Sequence, residues 1–129
     1  MIVGLGIDVA RVDRVEDFLA RFGDRFIARV CTEGEQREAA RYTNEKSKAN
    51  HLAGRIAAKE AASKALGTGF SDGINWKDFE IVRQPGGCPT LRATGVAAQK
   101  MSQRGISNVV LSISHDGGLA AAVVVFEGE

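Results

Sequence analysis

The first residues with chemical potential lie in one alanine-rich stretch. In LAGRIAAKEAASKALG, Leu52, Ile56, Lys59, Ser63 and Leu66 recur at alternating spacings of four and three. That spacing sets the Lys59 ammonium in the middle of an apolar or small-residue stripe. A charge there needs an anionic partner, or a path past its neighbours to water. Glu60 and Lys64 stand four residues apart on an adjacent face. Such a pair either forms an ordinary solvated contact or grips the two ends of one polar ligand.

Three other places carry weaker signals. Asp8 follows the apolar run from Ile2 to Ile7, so it is predicted at the end of a strand, where ligands bind in many α/β proteins. Capping the next helix is its other reading. His115 precedes Gly117-Gly118 and is either a ligand contact or a polar turn residue. Thr68 and Gly69 could present backbone amides to a phosphate. No Walker A, Rossmann, nucleophile-elbow or HExxH pattern is present.

These residues need elements to hold them. Residues 2–8 read as a strand in which Gly4 and Gly6 permit close approach of another backbone. Residues 9–21 read as a helix interrupted at Gly23, with a second short helix over 25–30. Thr32 and Glu35 form a capping box opening a helix to residue 40, and 41–49 read as a polar linker. The longest predicted helix runs from about 47 to 66, closed by Gly67. A loop over 68–75 leads to a strand over 79–83, ended by Pro85, Gly86, Gly87 and Pro89, with a partner strand opening at Leu91. A helix over 95–104 precedes two β-rich runs, 109–114 and 119–126, joined by a turn over 115–118. The apolar run 120–126 exceeds what an edge strand exposes safely, so it is expected to pair or pack against another subunit. The sum is α+β, in one domain over 1–129.

The chain has 129 residues, a size that buries roughly two thirds of its unfolded surface. Seventeen Lys and Arg against sixteen Asp and Glu give a net charge of +1. That near-neutrality argues against general nucleic-acid binding. Cys31 and Cys88 lack a CxxC partner or neighbouring histidine, so reduced structural thiols are expected rather than zinc or a disulfide framework. With no basic n-region and no apolar run near ~20 residues, neither secretion nor membrane spanning is expected. A cytoplasmic setting follows.

The signals occur in a recognisable order: Gly6-Ile7-Asp8, Arg14, Thr32-x-x-Glu35, Gly54-Arg55-Ile56-Ala57-Ala58-Lys59-Glu60-Ala61, Lys64-Ala65-Leu66-Gly67-Thr68-Gly69, Gly87-Cys88-Pro89 and Ser112-Ile113-Ser114-His115. Together they strongly resemble the bacterial holo-acyl-carrier-protein synthases over essentially the whole chain. Ile56 stands where many members carry phenylalanine, and Cys31 where a larger apolar residue is common.

The resemblance implies a 4′-phosphopantetheinyl transferase fold: a mainly antiparallel sheet packed against a long helix, assembled as a homotrimer with interfacial active sites. It implies transfer of the 4′-phosphopantetheine of coenzyme A to a serine of apo acyl carrier protein, releasing adenosine 3′,5′-bisphosphate. It implies Mg2+ held by Asp8 and Glu60, with Lys64 at the pyrophosphate and leaving group. Glu60 becomes a candidate to accept the serine proton through water. Arg55, Lys59, Ser63, Lys64, Gly67, Thr68 and His115 are expected at coenzyme A. Arg14, Arg25 and Arg29 are expected to dock the acidic carrier protein. A silent coenzyme A-binding module is the alternative, and the presence of both Asp8 and Glu60 argues against it.

Overall fold

A computed structural model describes all of residues 1–129. Strand β1 (Ile2–Arg11) leads into helix α1 (Val12–Phe22), then α2 (Asp24–Val30) and α3 (Glu33–Ala39). Helix α4 (Glu45–Leu66) crosses the molecule. After it come a 3-10 turn at Trp76–Asp78, strands β2 (Phe79–Arg83) and β3 (Pro89–Ala93), helix α5 (Gly95–Gln103), and strands β4 (Ile106–Asp116) and β5 (Leu119–Gly128). All strand pairs are antiparallel, in a three-stranded sheet ordered β1-β5-β4 and a separate two-stranded sheet β2-β3.

Helix α4 is the axis on which the rest is packed. Its alanines at 53, 57, 58, 61, 62 and 65 are buried, and β1 lies directly on them. A Cβ at Gly6 would fall 1.9 Å from the Ala61 carbonyl oxygen, and one at Gly4 2.5 Å from that of Ala65. Glycine on the strand and alanine on the helix thus allow two backbones to touch, as the interleaved glycines predict. Phe79 and Phe126, both fully buried against this helix, each contribute roughly 1.5–3 kcal/mol of hydrophobic stabilisation.

Helix α4 begins two residues before its predicted start. Asn44 caps it, its side chain accepting from the Ser47 amide at 3.0 Å, so the expected linker shrinks to residues 40–44. At its other end Gly67 takes the left-handed conformation, φ 86°. Arg104 closes the remaining carbonyls: its guanidinium donates to Ala65, Leu66 and Val3, which joins α4 to β1. The capping box of Thr32 and Glu35 is present as predicted.

Three expectations change. Strand β1 continues to Arg11, so Asp8 lies inside it, and Arg11 rather than Asp8 sits at the α1 N-terminus. His115 and Asp116 belong to β4, leaving a two-residue turn of Gly117 and Gly118, with φ of 57° and 81°. Glycine supplies both positive angles that such a turn demands. Strand β5 is the centre of its sheet and not an edge. The unprotected surface is instead the outer face of that sheet, where Leu5, Ile7 and Val9 of β1 are each more than half exposed.

Candidate functional site

Asp8, Glu60 and Lys64 meet where β1 crosses α4. Asp8 pairs with Ala122 in the sheet register, and its side chain points inward with Gly4, Gly6 and Ala10. Lys64 lies one turn beyond Glu60. Its ammonium donates to Asp8 Oδ1 at 2.8 Å and to the Ile7 carbonyl at 3.2 Å. The helical pair read from sequence is therefore resolved in favour of the strand carboxylate: Lys64 binds Asp8 rather than Glu60. The second Asp8 oxygen, Oδ2, is buried and accepts no hydrogen bond.

Burial, and then the neighbouring Asp8 carboxylate, pushes Glu60 up to about 7, against the pull of Lys64 and Arg14. Contact with Asp8 raises Lys64 above the usual lysine range. Two crowded carboxylates, one with an orphaned buried oxygen, form a donor set that suits a hard divalent cation. Magnesium takes one or two protein carboxylates and leaves positions for water and substrate phosphates. No third His, Cys, Asp or Glu joins them.

Lys59 lies elsewhere, and its expected contact with coenzyme A is corrected. It is 1% exposed, and its ammonium donates to Glu35 Oε1 and the Val30 carbonyl, both at 2.6 Å. Glu35 also accepts from the amides of Thr32 at 2.9 Å and Ile81 at 2.8 Å. The anionic partner demanded by the apolar stripe is thus the capping-box glutamate, and the pair ties α2, α3, α4 and β2 together. Cys31, beside this pair, is a structural thiol, pushed up to about 11 mainly by burial.

Ser63, Gly67 and Thr68 are likewise committed within the chain. The Ser63 hydroxyl donates to the Glu60 carbonyl at 2.7 Å. The amides of Gly67, Thr68 and Gly69 all donate to the Ser63 carbonyl. The loop that could have cradled a phosphate uses its amides to finish α4.

Arg55 and His115 meet at a second location. Gly54 makes room for the imidazole, since a Cβ there would lie 2.9 Å from His115 Nε2. That nitrogen donates to the Asn50 carbonyl at 3.0 Å. Beside them is a cavity of about 490 Å³ whose lining includes Arg55, Arg83, Lys46, His115, His51 and Tyr42. Arginine, lysine and histidine there are bases of the kind that bind anions. Arg55 is 6% exposed, its Nη2 has no hydrogen bond, and its nearest carboxylate is Glu38 at 3.6 Å. Lys46, His51 and Arg83 were not singled out from sequence. His51 shares the helix face of Arg55 at a spacing of four that helical periodicity makes visible, whereas Lys46, roughly half a turn round α4 from Arg55, and Arg83, which arrives from β2, left no local signal.

The arginines divide by partner. Arg11 pairs with Asp13 at 2.7 Å and Arg21 with Asp17 at 3.5 Å, while Arg14, Arg25 and Arg29 form no salt bridge and are exposed. They do not share one continuous helix, because Gly23, at φ 57° and ψ −132°, breaks the chain between α1 and α2. Arg14 and Glu60 both line a small cavity of about 150 Å³ with an apolar floor of Val15, Phe18, Phe26 and Ile56.

Fold and site together define a small α+β protein in which a carboxylate pair and a lysine meet at a strand–helix contact, with a separate basic cavity on the same helix. The chain belongs to the 4′-phosphopantetheinyl transferase superfamily, whose model matches residues 4–124. It is 45% identical over 127 residues to the holo-[acyl-carrier-protein] synthase of Solibacter usitatus, covering 98% of this chain and 99% of that protein. The structure resembles holo-[acyl-carrier-protein] synthase of Neisseria meningitidis with a TM-score of 0.86 at 34% identity, over 98% and 99% of the two chains. It also resembles the Helicobacter pylori synthase in complex with coenzyme A, with a TM-score of 0.82 at 33% identity over 95% and 99%.

Proposed function

We propose that this chain transfers the 4′-phosphopantetheine arm of coenzyme A to a serine hydroxyl of an apo acyl carrier protein, releasing adenosine 3′,5′-bisphosphate. The observation that carries the reading is the meeting of Asp8, Glu60 and Lys64 at one strand–helix contact, in a chain whose relatives are named for this activity. Asp8 and Glu60 would hold Mg2+. When bound, that ion neutralises charge developing on the pyrophosphate oxygens. Lys64, already close to Asp8, donates to the leaving phosphate as its charge grows. Glu60 takes up the proton of the attacking serine through water.

The basic cavity receives the terminal 3′-phosphate of the coenzyme, with Arg55 and His115 as its contacts. Arg55 and Glu60 are five residues apart, which places them roughly 140° apart round α4. The two anion sites therefore face different sides of one helix. A homotrimer resolves this: a neighbouring copy, packed on the exposed apolar face of Leu5, Ile7 and Val9, supplies its cavity to the carboxylate pair of the first. Arg14, Arg25 and Arg29, free of internal ion pairs, receive the acidic carrier protein. A cytoplasmic setting, with both thiols unpaired, is part of the same reading, and no helix is long and apolar enough to cross a membrane.

The test is the mass of an apo acyl carrier protein incubated with this protein, coenzyme A and Mg2+. The expected result is a gain of one phosphopantetheine on the carrier serine, abolished by a chelator and by Glu60→Gln. No gain on a carrier that another transferase can modify, with coenzyme A still bound, would leave a binding module instead.

A further inference from the structure

The basic cavity contains one group that its cations do not explain. His51 is 6% exposed, four residues before Arg55 on the same helix face, and stacks on Tyr42 with ring centroids 4.6 Å apart at 30°. It faces Arg55 from α4, Arg83 from β2 and His115 from β4, with Lys46 at the cavity wall and Glu38 behind Arg55. Burial first, and then the positive charges of Arg55, Arg83 and His115, hold its pKa down at about 4. His51 is thus neutral at physiological pH, with one ring nitrogen that donates and one that accepts.

A buried neutral donor amid cations has a specific use. It adds a directed hydrogen bond for an anion without adding a further charge that the empty cavity would have to tolerate. Arg55 lines the same cavity, with its Nη2 turned to Glu38 at 3.6 Å, and its guanidinium is a second donor group there. A tetrahedral phosphate monoester presents three terminal oxygens and can satisfy the arginine and the imidazole together. A ribose hydroxyl in its place is uncharged and accepts weaker hydrogen bonds from the same donors.

We propose that His51 is a specificity residue for the phosphate monoester of the donor, donating to a terminal phosphate oxygen beside Arg55 and so distinguishing coenzyme A from its 3′-dephospho form. The inference rests on the reading that this cavity holds the terminal phosphate, and it assigns a role to a residue that reading did not use.

The experiment compares steady-state kinetics with coenzyme A and 3′-dephospho-coenzyme A as donors. His51→Phe keeps a ring against Tyr42 but has no donor. It is expected to raise KM for coenzyme A about tenfold, the value of one hydrogen bond to a charged group, with kcat unchanged and KM for the dephospho donor unchanged. His51→Gln, which restores a donor, is expected to recover most of the loss. Equal effects of His51→Phe on both donors, or no effect on either, would overturn the role of His51. The exposed double variant Arg83→Met, His115→Gln separates the two levels of the argument. If it narrows the preference for coenzyme A while His51→Phe does not, only His51 is misassigned. If neither changes the preference, the cavity is not the terminal-phosphate site.

Discussion

A lysine and a histidine, both buried in α4, show how burial fixes chemistry at single residues. Lys59 and Glu35 form a pair that is almost wholly removed from water. Breaking such a pair from one side leaves an unpaired buried charge. Lys59→Met is therefore expected to cost about 3–5 kcal/mol. Adding Glu35→Gln should recover part of it, because the substituted amide is neutral and its oxygen can still accept from the Ile81 amide. Thermal melts of wild type, single and double variants measure this, and a double variant no better than the single would reject the account. His51 gives a pH signature. Its folded-state pKa, about 4, lies below its ordinary value of 6.5, so the unfolded chain binds the proton more tightly. Its contribution is complete above about pH 6.5 and is lost as pH falls through about 4, a total of about 3 kcal/mol. Relative to wild type, His51→Phe should flatten the fall in stability between pH 6.5 and 4 in denaturant titrations.

Contact between elements, more than helix propensity, places the carboxylates. Strand β1 reaches α4 only because Gly6 has no side chain facing Ala61. Gly6→Ala is expected to cost about 3 kcal/mol or more, since the obstructing atom is backbone and cannot rotate away. Because the same contact brings Asp8 to Glu60, any folded fraction should also lose transfer activity, which a combined melt and mass assay would read. The break at Gly23 has a different consequence. It separates Arg14 on α1 from Arg25 and Arg29 on α2, so that the basic surface spans two short helices. Arg14→Ala should raise KM for the carrier protein severalfold and leave KM for coenzyme A unchanged; equal changes in both would argue against docking there.

For the whole molecule, the outer sheet face is where a single chain leaves apolar surface in water. Leu5 and Ile7 are 65% and 63% exposed, and packing against a second copy would remove that apolar surface from water. Ile7→Asp points a charge from that face without touching the carboxylate centre, since neighbouring strand residues face opposite ways. Sedimentation should find wild type associated and Ile7→Asp monomeric, with activity lost alongside association. A monomeric wild type that retains full activity would rule out a shared site.

Sequence alone determined the elements whose signals are local. The capping box at Thr32 and Glu35, the Gly67 terminus of α4, the glycines that admit a backbone, and the hairpin turn all depend on residues a few positions apart, and each appears at its local signal, the turn shortened from 115–118 to Gly117 and Gly118. It also determined the family, because the order of short motifs is itself a one-dimensional property. What required tertiary structure was every pairing between distant residues. Lys59 meets Glu35 across 24 positions, Lys64 meets Asp8 across 56, and Arg104 reaches Val3 across 101. Nothing in helical spacing says whether Lys64 turns to Glu60 or to a strand, or that Arg83 joins Arg55 at one cavity. Periodicity specifies which face of an element a side chain occupies; only packing decides what faces it.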